Sequence, residues 1–392
     1  MKAQAHVASH HEGVLNLRAG DMVEVRSKSE ILATLDATGR KEALPFMPEM
    51  LQYCGKRFRV YKRADKACDT IGKTGSRRME DAVHLEDVRC DGLAHGGCQA
   101  GCLIYWKEAW LKRVDTPRFG GSIANTGEPS AVTNPQTESP GNTGACTEEK
   151  LFSASRRQSG QEEIFSCQAT ELPKATSYLA WWDIRQYIRD ITSRNIGLVE
   201  LSRAVSISLF NAVIRNVRQG VLVLGRWLVS RPVVNVQRAG GNCEPMPGFY
   251  QAVPPGEGVV EHMKNALDEL FVEHPHVRGK LRKTPSTVLN LQPGELVQIK
   301  TREEILATLD INNRNRGLWF DVEMVPYCGG NYRVLRRVDK IVDEKTGRML
   351  VLSNNCIILE GVFCRGCLSR NRLFCPRSIY QYWHEIWLRR AE

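Results

Sequence analysis

The sequence predicts an α+β protein made of two homologous β-rich modules, residues 14–114 and 288–392, each with a cysteine cluster and a C-terminal aromatic helix. Three observations lead there. Residues 14–66 recur at 288–340 without a gap, Val14 falling on Val288, and about half of these positions are identical. Each copy opens with a Gly-acid turn and an alternating strand, Met22-Val23-Glu24-Val25 and Leu296-Val297-Gln298-Ile299. Each also ends in cysteines followed by an aromatic segment, YWKEAWLKR at 105–113 and YWHEIWLRR at 382–390.

Taken in order, residues 1–13 lack periodicity and read as a frayed tail. After the first strand, EILATLD at 30–36 and 304–310 puts Ile31, Leu32 and Leu35 at helical spacing, with Ser27 or Ser29 as cap in the first copy and Thr301 in the second. Further strands are expected around 46–50, 58–61 and 84–88, with counterparts at 332–335 and 349–352. Turn-rich stretches at 72–78 and 343–348 separate the last two. The pattern G-[DE]-x-V-x-[VI], met from Gly20 to Val25 and from Gly294 to Ile299, resembles SH3-like or KOW-type barrels. That resemblance implies two small β-barrel-like modules, and protein or nucleic-acid binding rather than catalysis.

Between the modules the pattern changes. Residues 115–177, rich in Ser, Thr, Gly, Pro and Asn, read as a flexible linker. Residues 178–230 read as a helical hairpin, with one apolar stripe at Leu179, Trp182, Ile184, Tyr187 and Ile191 and another at Leu198, Leu201, Val205, Leu209 and Val213. Two such stripes need a third surface; docking on the barrels is expected, with dimerisation or a membrane face as alternatives. Residues 231–287 read as a second linker with one short helix at 259–272.

A length of 392 residues with 42% hydrophobic content suits two or three soluble domains. The formal charge of +10 favours a protein or anionic polymer partner, nucleic acid among them. No uncharged apolar run is long enough for a transmembrane segment, and MKAQAHVASHHEG lacks the apolar run of a secretory signal. A cytoplasmic protein is expected, and its thirteen cysteines then point to metal binding or inert thiols rather than disulfides.

Cys54 matches Cys328 within a shared YCG triplet, and Cys90 matches Cys356 by order. Fifteen residues separate Cys90 from Tyr105 and twenty-six separate Cys356 from Tyr382, so an insertion of eleven is expected inside the second cluster. Cys98 aligns with Cys364 from one side and with Cys375 from the other. The expected metal ligands are Cys54, Cys90, Cys98 and Cys102, then Cys328, Cys356, Cys364 and Cys375, with Cys367 competing for the last two places. Four thiolates suit a structural Zn²⁺ ion. An iron–sulfur cluster, signalled by Cys375-Pro376, and metal-free buried thiols are the alternatives. His95 is an alternative ligand in the first copy only, and Cys68, Cys146, Cys167 and Cys243 are read as free thiols.

Trp106, Trp110, Trp383 and Trp387 are expected in the core over the metal; the alternative is a stacking platform helped by Lys112, Arg113, Arg389 and Arg390. Glu108 and Glu385 supply one carboxylate per copy, too few for an acid–base pair, and no phosphate loop, HExxH or GxSxG occurs. The expected function is a metal-stabilised, duplicated binding or scaffold protein without catalytic activity of its own. The alternatives are a nucleic-acid binder and an iron–sulfur or metal-dependent enzyme of a biosynthetic pathway.

Overall fold

A computed structural model describes residues 14–114, 146–202, 279–368 and 372–391. The described residues up to Leu198 and those from 279 onward belong to one compact unit. In the N-terminal half, strand β1 (Met22–Val25) leads into helix α1 (Lys28–Leu32), a hairpin of β2 (Arg40–Lys41) and β3 (Leu44–Pro45), and a 3₁₀ turn at Pro48–Tyr53. Strands β4 (Arg57–Arg63), β5 (Lys66–Cys68), β6 (Ser76–Arg78), β7 (Ala82–Arg89), β8 (Leu103–Lys107) and β9 (Leu111–Arg113) follow. Ser27 is the cap that forms: its hydroxyl accepts from the Glu30 amide while the Glu30 carboxylate accepts from the Ser27 amide. The stretch 46–50, expected as a strand, instead enters the 3₁₀ turn, because Pro48 removes a ladder donor at its centre.

The sheet order is β8-β7-β4-β1-β9. Its two outermost strands, β8 and β9, are joined by a single 3₁₀ turn, Glu108–Trp110. Two edges linked by three residues cannot lie a sheet's width apart, so the sheet curls into a half-barrel. This also corrects the expected aromatic helix. Residues 105–113 form strand, turn and strand, since β7 claims one end of the segment and β1 the other. Tertiary pairing overrides the helical spacing of Trp106 and Trp110, and both rings are buried edge-on against Phe46.

Residues 146–177, expected as linker, are folded. Helix α2 (Glu148–Ser155), the hairpin β10 (Arg156–Ser159) and β11 (Glu162–Phe165), and helix α3 (Gln168–Glu171) place Leu151, Phe165 and Leu172 in buried positions. Strand β12 (Ser177–Leu179) then pairs with β6, and helix α4 is confined to Arg185–Thr192. The expected apolar stripe is split: Leu179 is buried and Tyr187 and Ile191 are half-buried, but Trp182 and Ile184 are exposed, while Gln186 and Asp190 are buried. Asp190 meets Lys66 at 2.5 Å, and the Asn195 side chain bonds the Arg63 backbone at both its amide and its carbonyl. Most of the second helix of the hairpin, the short helix at 259–272 and Cys243 lie outside the described residues.

The C-terminal half follows the same plan. It comprises β13 (Leu296–Ile299), α5 (Arg302–Leu306), β14 (Arg314–Asn315), β15 (Leu318–Trp319), a 3₁₀ turn at Val322–Tyr327, β16 (Asn331–Val342), β17 (Met349–Leu359), β18 (Trp383–His384) and β19 (Leu388–Arg390). The sheet order is β18-β17-β16-β13-β19, and Glu385–Trp387 makes the 3₁₀ link between the edges. No helix among the described residues is long and apolar enough to cross a membrane.

One buried carboxylate closes each half-barrel. Glu108 accepts the Leu15, Asn16 and Leu17 amides at 2.6–3.0 Å, together with the Arg63 guanidinium at 2.6 Å. Glu385 does the same for Leu289, Asn290 and Leu291, with Arg337 at 2.6 Å. These carboxylates hold the same structural place in the two halves. Burial acts to raise the Glu385 carboxyl, but the Leu289 and Leu291 amides, Arg337 and the Asn290 amide together hold it below its ordinary 4.5. A depressed folded-state value contributes stability that is complete above 4.5 and is lost as pH falls through that lower value. Glu108→Gln, which leaves Arg63 its Asp65 and Asp81 partners but replaces one of the two oxygens that accept the Leu15–Leu17 amides, is expected to cost about 1–3 kcal/mol in urea unfolding. Glu385→Gln is expected to flatten the acid limb of the stability profile. A cost under about 0.5 kcal/mol would show that neither carboxylate carries its segment.

Candidate functional site

Loop 90–102, between β7 and β8, carries most of the chemistry of the N-terminal half. Gly92 sits at φ +73, where a side chain would strike the Cys98 carbonyl oxygen, and its own carbonyl accepts the His95 and Gly97 amides. The loop is thereby wound tightly enough to bring His95 back toward Cys90. Beneath both lies Glu49, held by the 3₁₀ turn Pro48–Tyr53.

Glu49, Cys90 and His95 form a trio whose ligand atoms lie within 4.8 Å of one another. His95 Nδ1 stands 2.6 Å from Glu49 Oε1, and its Nε2 donates to the Ser166 carbonyl at 3.2 Å. Glu49 Oε1 also accepts from the Ala94 amide and, at 3.8 Å, from the Cys90 thiol. Its other oxygen, Oε2, is buried without a hydrogen-bond partner. Burial alone would raise the Glu49 carboxyl; the His95 hydrogen bond and charge outweigh it and bring the pKa below its ordinary value. Burial, then the neighbouring Glu49, pushes the Cys90 thiol well up. A thiol, an imidazole and a carboxylate within 4.8 Å of one another form a donor set suited to Zn²⁺.

The expected all-cysteine sets do not assemble among the described residues. Cys54 lies at the end of the 3₁₀ turn near Lys28, away from the trio, and Cys328 occupies the matching place. Cys356 pairs with His384 inside the sheet, as Ala82 pairs with Lys107, so its counterpart is Ala82 rather than Cys90. The counterpart of Cys90 is Cys364. Tyr53 donates to the carbonyl just before the first, and Tyr327 to the carbonyl just before the second. Cys98 corresponds to Cys375, which follows a bond from its amide to Arg372 just as Cys98 bonds to His95. The insertion is therefore three residues, not eleven. Arg372 stands where His95 stands, and Glu323 accepts the Cys367 and Leu368 amides, so the trio is not repeated there. Cys367 is exposed, and the Cys102 carbonyl accepts from the Cys90 amide.

Each loop thiol instead reaches the other half. Cys98 Sγ accepts from the Val342 amide at 3.3 Å, and Cys375 Sγ accepts from the Cys68 amide at 3.1 Å. Cys68 and Val342 hold matching positions, so the two contacts are reciprocal. Cys68 and Cys375 are also hydrogen-bonded through their side chains. Cys68 keeps its proton well above the ordinary thiol range, while that bond draws Cys375 down to about 7, helped by Arg377. Trp106, Trp110, Trp383 and Trp387 are fully buried, which removes these four as a stacking platform. Glu49, Cys68 and the pairing of Cys90 with Cys364 were missed from sequence. Carrying the 274-residue offset onward from residue 66 would have found the last of these.

The chain matches no protein-family model, no curated protein and no solved structure. Removing either seam acceptor leaves a buried amide unpaired, so Cys98→Ala and Cys375→Ala are each expected to cost about 1–2 kcal/mol in urea unfolding. Exposed Cys367→Ala should stay within about 0.5 kcal/mol. Equal effects from all three would contradict a specific role for the seam thiols.

Proposed function

We propose that this chain is a metal-stabilised binding or scaffold protein, a duplicated fold in which Glu49, Cys90 and His95 hold one zinc ion. The observation that carries the reading is the approach of a carboxylate, a thiol and an imidazole within 4.8 Å of one another, with the second Glu49 oxygen, Oε2, buried and unpaired. The bond from His95 Nε2 to the Ser166 carbonyl supports it, because such a partner turns the Nδ1 lone pair toward an ion. The competing occupant is a proton, shared between Nδ1 and Oε1 at 2.6 Å.

Zinc would supply charge and bonds where the buried thiol and carboxylate otherwise repel each other. The ion would pin loop 90–102, whose Cys98 and Gln99 grip Val342 and Lys340 of the other half. Ion, loop and seam then form one chain of dependence that holds the two halves in a single surface. The charge of +10 makes a protein with an acidic face, or an anionic polymer, the fitting partner.

Elemental analysis is expected to find about one zinc per chain. Glu49→Gln, Cys90→Ser and His95→Ala should each lose it, whereas Cys356→Ser should keep it. Chelation should lower Tm, by the equivalent of about 4 kcal/mol if free zinc had stood a thousandfold above Kd. Zinc-free protein, or zinc retained by all three site variants, would overturn the assignment. Iron with visible absorbance would favour an iron–sulfur protein instead.

A further inference from the structure

Helix α4 and the turn before it are docked inside out. Their polar side faces the protein: Asp190 meets Lys66 at 2.5 Å, and the Ala19 amide donates to the Ser193 carbonyl at 2.9 Å. Gln186 donates to the Ala180 and Trp181 carbonyls at 2.9 and 3.3 Å, and Tyr187 to the Trp181 carbonyl at 2.7 Å, so the turn carrying Trp181 and Trp182 is folded back on the helix. The exposed residues between 181 and 194 are then two tryptophans, two isoleucines, three arginines and Thr192. Ile184 and Ile188 stand about one turn apart, and Arg185 and Arg189 repeat that spacing one residue on. An apolar row thus runs beside a cationic row on the outer side of one helix.

Single apolar side chains at a surface need no partner, but Trp182, Ile184 and Ile188 are 54–71% exposed and follow one another closely. Charge decides what covers them. Asp183 and Asp190, the carboxylates of this stretch, turn inward onto Arg78 and Lys66. Arg185 touches Asp183 at 2.8 Å and Arg189 touches Asp65 at 3.6 Å, but those two acids also serve Arg78 and Arg63, so the outer guanidiniums are not neutralised. A second copy of the same face would set arginines against arginines, which is repulsive. An acidic protein would need a cavity shaped for protruding indole and isoleucine side chains. A bilayer interface needs no such match, since indoles settle among the headgroups and guanidiniums meet anionic lipid there.

We propose that this face rests on the surface of an anionic lipid bilayer. Trp182, Ile184 and Ile188 enter the boundary between headgroups and acyl chains, while Arg185, Arg189 and Arg194 meet the acidic headgroups. The helix lies in the interface and does not cross it. The proposal goes beyond the binding reading by naming a partner, and it shares no residue with Glu49, Cys90 and His95, so the membrane and the zinc ion can fail separately.

The test sediments the full chain with vesicles of phosphatidylcholine, alone or with about 30% phosphatidylserine, at about 0.1 M salt. Binding to the phosphatidylserine vesicles is expected to be at least about tenfold tighter, and to weaken as salt is raised. Removing two charges in Arg185→Gln with Arg194→Gln should weaken it about 25-fold, about fivefold for each arginine. Trp182→Ser with Ile188→Ser should weaken it about tenfold or more with Tm unchanged, because both side chains are exposed. Brominated lipid should quench tryptophan fluorescence in the wild type but not in Trp181→Phe with Trp182→Phe. No binding to either vesicle, equal binding to both, or wild-type binding by the serine variant would overturn the proposal. So would quenching that survives the phenylalanine variant, which would place another segment in the lipid, or a dimer in solution that the serine variant abolishes.

Discussion

The structure depends on the reciprocal seam, in which a sulfur atom from each half receives a backbone amide from the other. The Val342 and Cys68 amides donate to these sulfurs, and an unmet amide in a buried seam is costly. Thiols are weak acceptors, but their small size lets a loop approach the strand closely. Gln99 adds a firmer grip on one side, its side chain accepting the Asp339 amide at 2.6 Å while its own amide donates to the Lys340 carbonyl. On the other side Arg377 replaces that grip with a charged fork. Matched backbone geometry thus carries unmatched side chains on the two sides of the seam.

Within each half a second constraint operates. A half-barrel whose edges are joined by three residues leaves an entering segment with nothing to pair against, and Glu108 and Glu385 solve this with one carboxylate each. The ion pairs with Arg63 and Arg337 add little net energy, because desolvation offsets most of the attraction. Their effect is positional: the carboxylate must lie at the closure, and the 3₁₀ turn that carries it must bend there. That turn carries Trp110 or Trp387, and the strand before it carries Trp106 or Trp383; all four rings are buried.

How much of this could be read from sequence follows from the range of each interaction. Part of the repeated 14–66 segment was legible because local signals agree there: the strands Met22–Val25 and Leu296–Ile299 and the caps Ser27 and Thr301 lie where the pattern placed them, whereas the helices form at Lys28–Leu32 and Arg302–Leu306, starting ahead of the EILATLD stretches, and 46–50 is not a strand. The aromatic segment was not, because i, i+4 tryptophans fit a helix and a strand–turn–strand alike until the sheet edges are known. Counting cysteines by order joined Cys90 to Cys356, whereas the backbone joins Cys90 to Cys364. Composition marked 146–177 as linker because its buried Leu151, Phe165 and Leu172 are widely spaced. Helix α4 misled most directly: it docks by Asp190 and leaves Ile184 and Ile188 in solvent. Glu49 carried no signal, since its partners come from a loop far along the chain.

Zinc-edge X-ray absorption on the purified full chain tests the central claim most directly, because it counts the atoms around the ion. The account predicts one sulfur at about 2.3 Å and the remaining neighbours nitrogen or oxygen at about 2.0–2.2 Å, the signature of a cysteine–histidine–carboxylate site. Four sulfurs per zinc would contradict it, returning the ion to an all-cysteine site that the seam geometry does not provide.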